Sequence, residues 1–347
     1  MERDNQKVMV AIRCITYNHE PYIRDALEGF VMQKTNFSFV AIVHDDASTD
    51  GTAAIIREYA EKYPDIIKPI YETENQYSKR DGSLSRIMNA ACEATGAKYI
   101  AFCEGDDYWT DSLKLQKQVD FLEHNLEYGM CCTKSLRFYV ESNKFEDLLV
   151  PPTLSLDQLL LSNTLSTPTV ILRADLMYDY YDSGILDEIK EQMPIVMGDY
   201  PLWLWVAWKS KIYYISSPTV VYRVVSDSAS RGNYKKWLKF MCGTYSIQHF
   251  FTIKIGKQVS NDIILRSSIV EIAHAIEDNN REKITKIQKK IDNLPYNTLL
   301  NYSKVKKLIL MKFPKLINYF YKWRYSQENS PSWIYVKFHL IMELFRK

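Results

Sequence analysis

Apolar and polar residues fall in alternating blocks along the first hundred positions. "KVMVAIRCI" and "FSFVAIVHDD" are near-continuous apolar runs of strand length, followed by "IIKPIYE" and "AKYIAFCE". Runs of this kind suit strands buried on both faces. Between them stand segments with helical spacing. "EPYIRDALEGFVMQ" carries Ile23, Leu27, Phe30 and Val31 on one face, with Pro21 near its start. "TAAIIREYAEKY" is a second helix after the turn cluster Ser48–Gly51, and "LSRIMNAACEAT" is a third, closed by Gly96. Strands alternating with helices predict βαβ units and a mainly parallel sheet flanked by helices.

Further along, "DSLKLQKQVDFLEHN" predicts a helix with Leu113, Gln116, Val119, Phe121 and Leu122 on its buried side. "GMCCTKSLRFYV", "TPTVILR" and "IYYISSPTVVYR" predict strands, and "DYPLWLWVAWK" a buried helix carrying Trp203, Trp205 and Trp208. From Lys235 onward the pattern is helical and glycine is scarce. This places a boundary near Arg231–Asn233, with one domain over 1–231 and a helical basic and aromatic region over 232–347.

Parallel α/β sheets bind ligands at the carboxyl ends of their strands. Three polar groups stand there: Thr16-Tyr17-Asn18, Asp45-Asp46, and Glu104 to Asp107. Chain order and strand polarity predict that they converge on one rim. Adjacent carboxylates repel each other and leave water reluctantly, so the last group asks for a cation. No G-x-G-x-x-G follows a strand and there is no G-x-x-x-x-G-K-[ST]. If phosphates bind, a divalent metal is the expected partner.

The chain has 347 residues and a formal net charge of +2, which excludes a general polyanion binder and predicts no nucleic-acid partner. The six cysteines form no C-x-x-C pair, so a zinc site is not expected and the thiols suit a reducing compartment. With a polar N-terminus and no apolar run of membrane-span length, the expected location is cytoplasmic.

"TYNHEPYIRDALEGFVMQ", "VHDDASTDGT", "EGDDYW" and "MGDYPLWLW", in this order, resemble the family 2 glycosyltransferases. These are inverting nucleotide-sugar enzymes of the Rossmann-like GT-A fold. The resemblance covers residues 7–230 and is nearest in flavour to bacterial enzymes that build capsule, O-antigen and other surface polysaccharides. It implies a nucleotide-sugar donor, a saccharide or lipid-linked acceptor, and Mn²⁺ or Mg²⁺ as cofactor. Tyr17 would stack on the base. Asp46 would accept an imide N–H, which suits uracil. Asp106 would meet the ribose or metal, Asp107 would coordinate the metal, and Glu104 stands where the family's D-x-D begins. Asp199 falls at the position of the catalytic base, near an aromatic-rich helix that could raise its pKa.

Lys79, Arg80 and Arg86 are candidates to meet the donor, Arg80 foremost, since Arg and Lys suit phosphate. In "YRVVSDSAS", Val224-Val225 replaces the His that many members carry after "YR". Arg223, Ser228 and Ser230 remain as candidates there.

Simpler roles are also open. Asp45, Asp46 and Asp50 suit turn or N-cap positions, Asp50 above all; Asp199 alone would be an N-cap; and Asp111 and Ser112 are better caps for the next helix than Asp106 or Asp107. The three tryptophans suit a core role, with a platform for an acceptor sugar as the alternative, and His19 and His44 a structural or solvent-facing one. A rival assignment is a non-catalytic, glycan-binding or nucleotide-sugar-binding subunit of a polysaccharide assembly complex, but it would not need all four carboxylates.

From residue 304 onward ten basic residues face only Glu328 and Glu343. "SWIYVKFHLIMELFRK" suits either a helix packed on the domain or an interfacial helix making peripheral membrane contact.

Overall fold

The computed structural model describes residues 7–147, 154–163, 165–193, 197–225, 233–259 and 261–292. The basic tail from 304, Ser228 and Ser230 lie outside the described residues.

The first half follows the predicted alternation. Strand β1 (Val10–Thr16) leads to α1 (Ile23–Val31), β2 (Phe39–Asp45), α2 (Thr52–Lys62) and β3 (Ile67–Tyr71). A single-turn helix α3 (Gln76–Lys79), which the periodicity does not announce, precedes α4 (Ser83–Ala94) and β4 (Tyr99–Phe102). Two-residue β5 (Tyr108–Trp109) and α5 (Lys114–His124) follow. Next come β6 (Tyr128–Tyr139), β7 (Lys144–Asp147), α6 (Leu156–Leu161), β8 (Ile171–Arg173), α7 (Ala174–Asp182), α8 (Ile185–Gln192), α9 (Asp199–Lys209) and β9 (Lys211–Val224). The helices α10 (Tyr234–Lys254), α11 (Asn261–Glu277) and α12 (Arg281–Asp292) complete the described chain.

The strands join in one sheet of order β3-β2-β1-β4-β8-β6-β9-β5, with β7 on β6. β1 runs parallel to β2 and β4, and β2 parallel to β3; β8 is antiparallel to both β4 and β6, and β5 to β9. The chain winds outward from β1 to β3, then crosses to the other side of β1 to make β4. That reversal opens a crevice at the carboxyl ends of β1 and β4, where such sheets hold ligands. Thr16 lies opposite Asp45 in the ladder, the Asp46 N–H donates to the Thr16 carbonyl (2.9 Å) and the Gly105 N–H to that of Ile15 (3.0 Å). All three polar groups therefore share one rim.

The described chain divides into two units. One comprises residues up to Phe138, Phe145–Asp187 and Asp199–Arg223; the other comprises Tyr139–Lys144, Glu188–Gly198 and the residues from Val224. In the first, one face of β1 (Val10, Ile12, Cys14) packs with Ile23, Ala26, Leu27 and Phe30 of α1. In the second, Trp237 and Leu238 of α10 bury against Ile269, Ile272 and Ala273 of α11 and Ile287 and Ile291 of α12. Among the described residues no helix is long and apolar enough to cross a membrane.

The face of α5 corrects the expectation. Leu113 is 42% exposed, whereas Lys114 and Gln118 are wholly buried beside Leu115, Val119 and Leu122. Hydropathy misled because the polar groups are satisfied internally. Gln118 Nε2 donates to the carbonyls of Cys131 and Thr169 (both 2.9 Å). Lys114 Nζ donates to Gln118 Oε1 (2.8 Å) and lies 4.2 Å from the Trp109 ring centre, a cation–π contact.

Burial pushes the Lys114 ammonium down to about 8. Between that value and the unfolded value near 10.4, the unfolded chain holds a proton that the folded chain lacks. This group's contribution to stability therefore rises with pH across that window, by up to about 1.4 kcal/mol per unit. Lys114→Met should flatten that slope. Urea titrations of both proteins at pH 7.5 and 10 would check it, and identical pH dependence would refute it.

Candidate functional site

Two loops at the β1–β2 rim are tied together by their polar residues. Asn18 Oδ1 accepts the Thr49 N–H (2.8 Å), and the Asn18 N–H donates to Ser48 Oγ (2.9 Å). Glu20 accepts the Gly51 N–H (2.8 Å). Asp50 takes the N–H and hydroxyl of Thr52 and the N–H of Glu20, the turn-and-cap work expected of it. Tyr17, at the end of β1, is 43% exposed.

Asp46 is buried, and its two oxygens accept the N–H groups of Gln76 (2.7 Å) and Tyr77 (3.0 Å). It thereby anchors the first turn of α3 to the rim. A carboxylate offers about four acceptor sites, so capacity remains for another donor. The sequence reading missed Tyr77. Its main-chain N–H meets Asp46 and its ring is exposed, and no periodicity or charge singles it out. Arg80 sits at the C-terminus of α3 with its guanidinium 4.7 Å from the Tyr77 ring.

At the end of β4 the chain turns through Glu104, Gly105, Asp106 and Asp107. Gly105 lets this turn close on β1: a Cβ there would stand 2.6 Å from Thr16 Oγ1 and 3.0 Å from His19 Nδ1. His19, set aside as structural by its sequence context, thus lies against the turn, and burial holds its imidazole pKa below the usual value.

One oxygen each from Glu104, Asp106 and Asp107 lies within 4.8 Å of the others. Two unit charges at that separation repel by about 3–4 kcal/mol at an effective dielectric of about 20. Glu104 keeps solvent contact, yet crowding by the surrounding protein and the charges of Asp106 and Asp199 push its carboxyl up to about 8. Burial, then Asp106 and Glu104, push Asp107 up as well. Asp107 Oδ1 accepts the Arg223 N–H (2.7 Å), while its Oδ2 is buried with no protein partner. An orphaned buried carboxylate oxygen beside two further carboxylates fits a hard divalent cation with oxygen ligands.

Asp199 opens α9. Its Oδ2 accepts the Thr167 hydroxyl and its Oδ1 the Tyr200 N–H, both at 2.7 Å. Its charge helps to raise the Glu104 carboxyl, so the helix start lies within electrostatic reach of the acidic turn. Of the tryptophans behind it, Trp203 is buried edge-on against Phe102 (5.2 Å), and Trp205 donates to Asp179 (3.0 Å). These two are core residues rather than sugar platforms. His44 is likewise buried, with Nε2 3.3 Å from Glu72.

Residues 12–170 match the family model described as Glycosyl transferase family 2. Over that stretch the chain is similar to the family 2 glycosyltransferases. An uncharacterized protein of Mycobacterium tuberculosis is 40% identical over 182 residues, which cover 51% of this chain and 50% of that one. The chain thus spans about half the length of these curated relatives. The putative teichuronic acid biosynthesis glycosyltransferase TuaG of Bacillus subtilis is 28% identical over 67% of this chain and 85% of its own. The Escherichia coli glucosyltransferase WfaP, named for UDP-glucose as donor and N-acetylglucosaminyl-diphosphoundecaprenol as acceptor, is 26% identical over 67% and 83%. Among solved structures, TarS of S. aureus (residues 1–349, in complex with UDP-GlcNAc) superposes with a TM-score of 0.56 at 16% identity. The superposition covers 91% of this chain and 92% of that one, and shows that the two share a fold.

Proposed function

We propose that this chain transfers a sugar, with inversion, from a nucleotide-sugar donor to a hydroxyl of a saccharide in surface-polysaccharide synthesis. The observation that carries the reading is the pairing at one rim of two carboxylate sites with different surroundings. One is the turn Glu104–Asp107 with its orphaned oxygen; the other is Asp199, hydrogen-bonded at the start of α9. Sites held apart in this way suit different tasks, one electrophilic and one basic.

Asp106, Asp107 and Glu104 would hold Mn²⁺ or Mg²⁺. When bound, such an ion offsets charge developing on the departing diphosphate. Asp199 would take the proton of the acceptor hydroxyl from within about 2.6–3.2 Å, its orientation set by Thr167. On the other side of the rim, Tyr17 would stack on the base, Asp46 would accept its imide N–H, and Arg80 would meet the donor's nucleotide. Uracil and thymine both carry that N–H. WfaP is named for UDP-glucose, and the Shigella flexneri relative RfbG is named as a dTDP-rhamnosyl transferase. UDP is the first donor nucleotide to test. A lipid-linked acceptor, as in the name of WfaP, would place the enzyme in the cytoplasm at the inner face of the cell membrane. On this reading residues 1–231 carry the chemistry and 232–347 serve placement.

A thermal-shift panel of nucleotide-sugars with Mn²⁺ tests the reading, because a ligand that binds the native state raises Tm. The expected result is a rise with uridine or thymidine diphospho-sugars that depends on the metal. A flat response to every nucleotide-sugar in the presence of Mn²⁺ would defeat it.

A further inference from the structure

Arg223 sits near the end of β9, only 8% exposed, and meets the acidic turn twice. Its main-chain N–H donates to Asp107 Oδ1 (2.7 Å), and its Nη1 donates to the Asp106 carbonyl (2.9 Å). The first bond fixes the rotation of the Asp107 carboxyl and leaves Oδ2 as the open oxygen. The second fixes the peptide that joins the two aspartates. Nη2 pairs with Asp25 of α1, whose side chain is 54% exposed. The rings of Tyr108 and Tyr22 lie 4.4 and 5.1 Å from the guanidinium carbon. β5 adds a short ladder to β9, pairing Tyr108 with Val221 and Trp109 with Val220.

From these contacts we infer that Arg223 is a positioning residue for the metal-holding carboxylates, anchored from outside by Asp25, rather than a contact to the donor. The inference rests on the metal site proposed above. A buried guanidinium whose fork is shared between a carbonyl and a carboxylate, and whose surroundings include two aromatic rings, is poorly placed to receive a phosphate. It is well placed to hold carboxylates to the tight tolerance that a small divalent ion such as Mg²⁺ demands, with ligands at about 2.0–2.1 Å. Partners that orient metal ligands in this way typically change metal affinity by about 10–100-fold when removed.

The test uses Arg223→Lys, which keeps the charge but loses the fork, and Asp25→Asn, a surface change that opens no cavity and keeps the protein foldable if the first variant fails. Mn²⁺ binding to the nucleotide-free protein is read by electron paramagnetic resonance of the free ion, and UDP binding without metal by calorimetry. Both variants should weaken Mn²⁺ binding by about tenfold or more and leave metal-free UDP affinity at the wild-type value. Turnover, where a donor is found, should recover as Mn²⁺ is raised. Unchanged Mn²⁺ affinity in Asp25→Asn overturns the anchoring role of Asp25. Unchanged Mn²⁺ affinity with weakened UDP binding in Arg223→Lys returns that residue to donor contact. A wild-type protein that binds no Mn²⁺ also overturns the inference. One that binds Mn²⁺ with the expected variant losses, yet turns over no nucleotide-sugar, upholds the clamp and removes only the proposed transfer.

Discussion

Changing Asp199 to Asn is expected to lower kcat by about 10²–10⁴-fold, the usual worth of a general base, while donor binding stays intact. The local geometry makes this a clean substitution. Asn can keep the Tyr200 N–H on its carbonyl oxygen, and the Thr167 hydroxyl, which accepts as well as donates, can turn to meet the new NH₂. What disappears is a site for the acceptor's proton and one negative charge near Glu104. Initial rates at saturating donor and acceptor, alongside a calorimetric donor titration, would separate the two effects. Turnover within a few-fold of wild type would remove Asp199 from the base role.

Asp107→Asn should act in two opposite directions. With metal present, turnover is expected to fall by about 10²–10³-fold or more, the scale seen when one electrostatic stabiliser of a developing oxyanion is lost. Without metal, the same change should stabilise the fold. Asp107 is buried, one of its oxygens has no partner, and two other carboxylates lie within 4.8 Å. An amide keeps an acceptor for the Arg223 N–H and presents a donor, not a third charge, to Glu104 and Asp106. Melting curves with and without Mn²⁺ would show a higher metal-free Tm and little further rise on adding the ion. A variant with a lower metal-free Tm and an undiminished Mn²⁺ response would contradict the assignment.

The strands β1 to β4 and helices α1, α2 and α4 are legible because a parallel strand buried on both faces writes itself as an apolar run, and a helix with one buried face as a 3.6-residue rhythm. The meeting of Thr16, Asp46 and Glu104–Asp107 at one rim follows from strand polarity alone. Other features depend on partners far along the chain. Helix α3 is capped locally by Asn75 but is held to the rim by Asp46, thirty residues earlier. The buried side of α5 holds Lys114 and Gln118, whose polar atoms are answered by each other, Trp109 and carbonyls on other elements. No hydropathy pattern reports such compensation. Tyr77 reaches the site by folding, without a motif of its own, while His19 stands inside the first quoted motif and only the close approach of Gly105 shows it against the acidic turn. Arg223 stood out in sequence as a basic residue near a loop, but its contacts with Asp25, Asp106 and Asp107 exist only in three dimensions.

The Arg223 contact with Asp107 also bears on biosynthesis, because the two residues are 116 positions apart. Translation at about 5–20 residues per second leaves an interval of roughly 6–23 s between their additions to the nascent chain. Over that interval the carboxylates have left the peptidyl-transferase centre without the strand that orients them. On the metal site proposed above, cation capture would wait for β9, the strand whose Arg223 N–H orients Asp107.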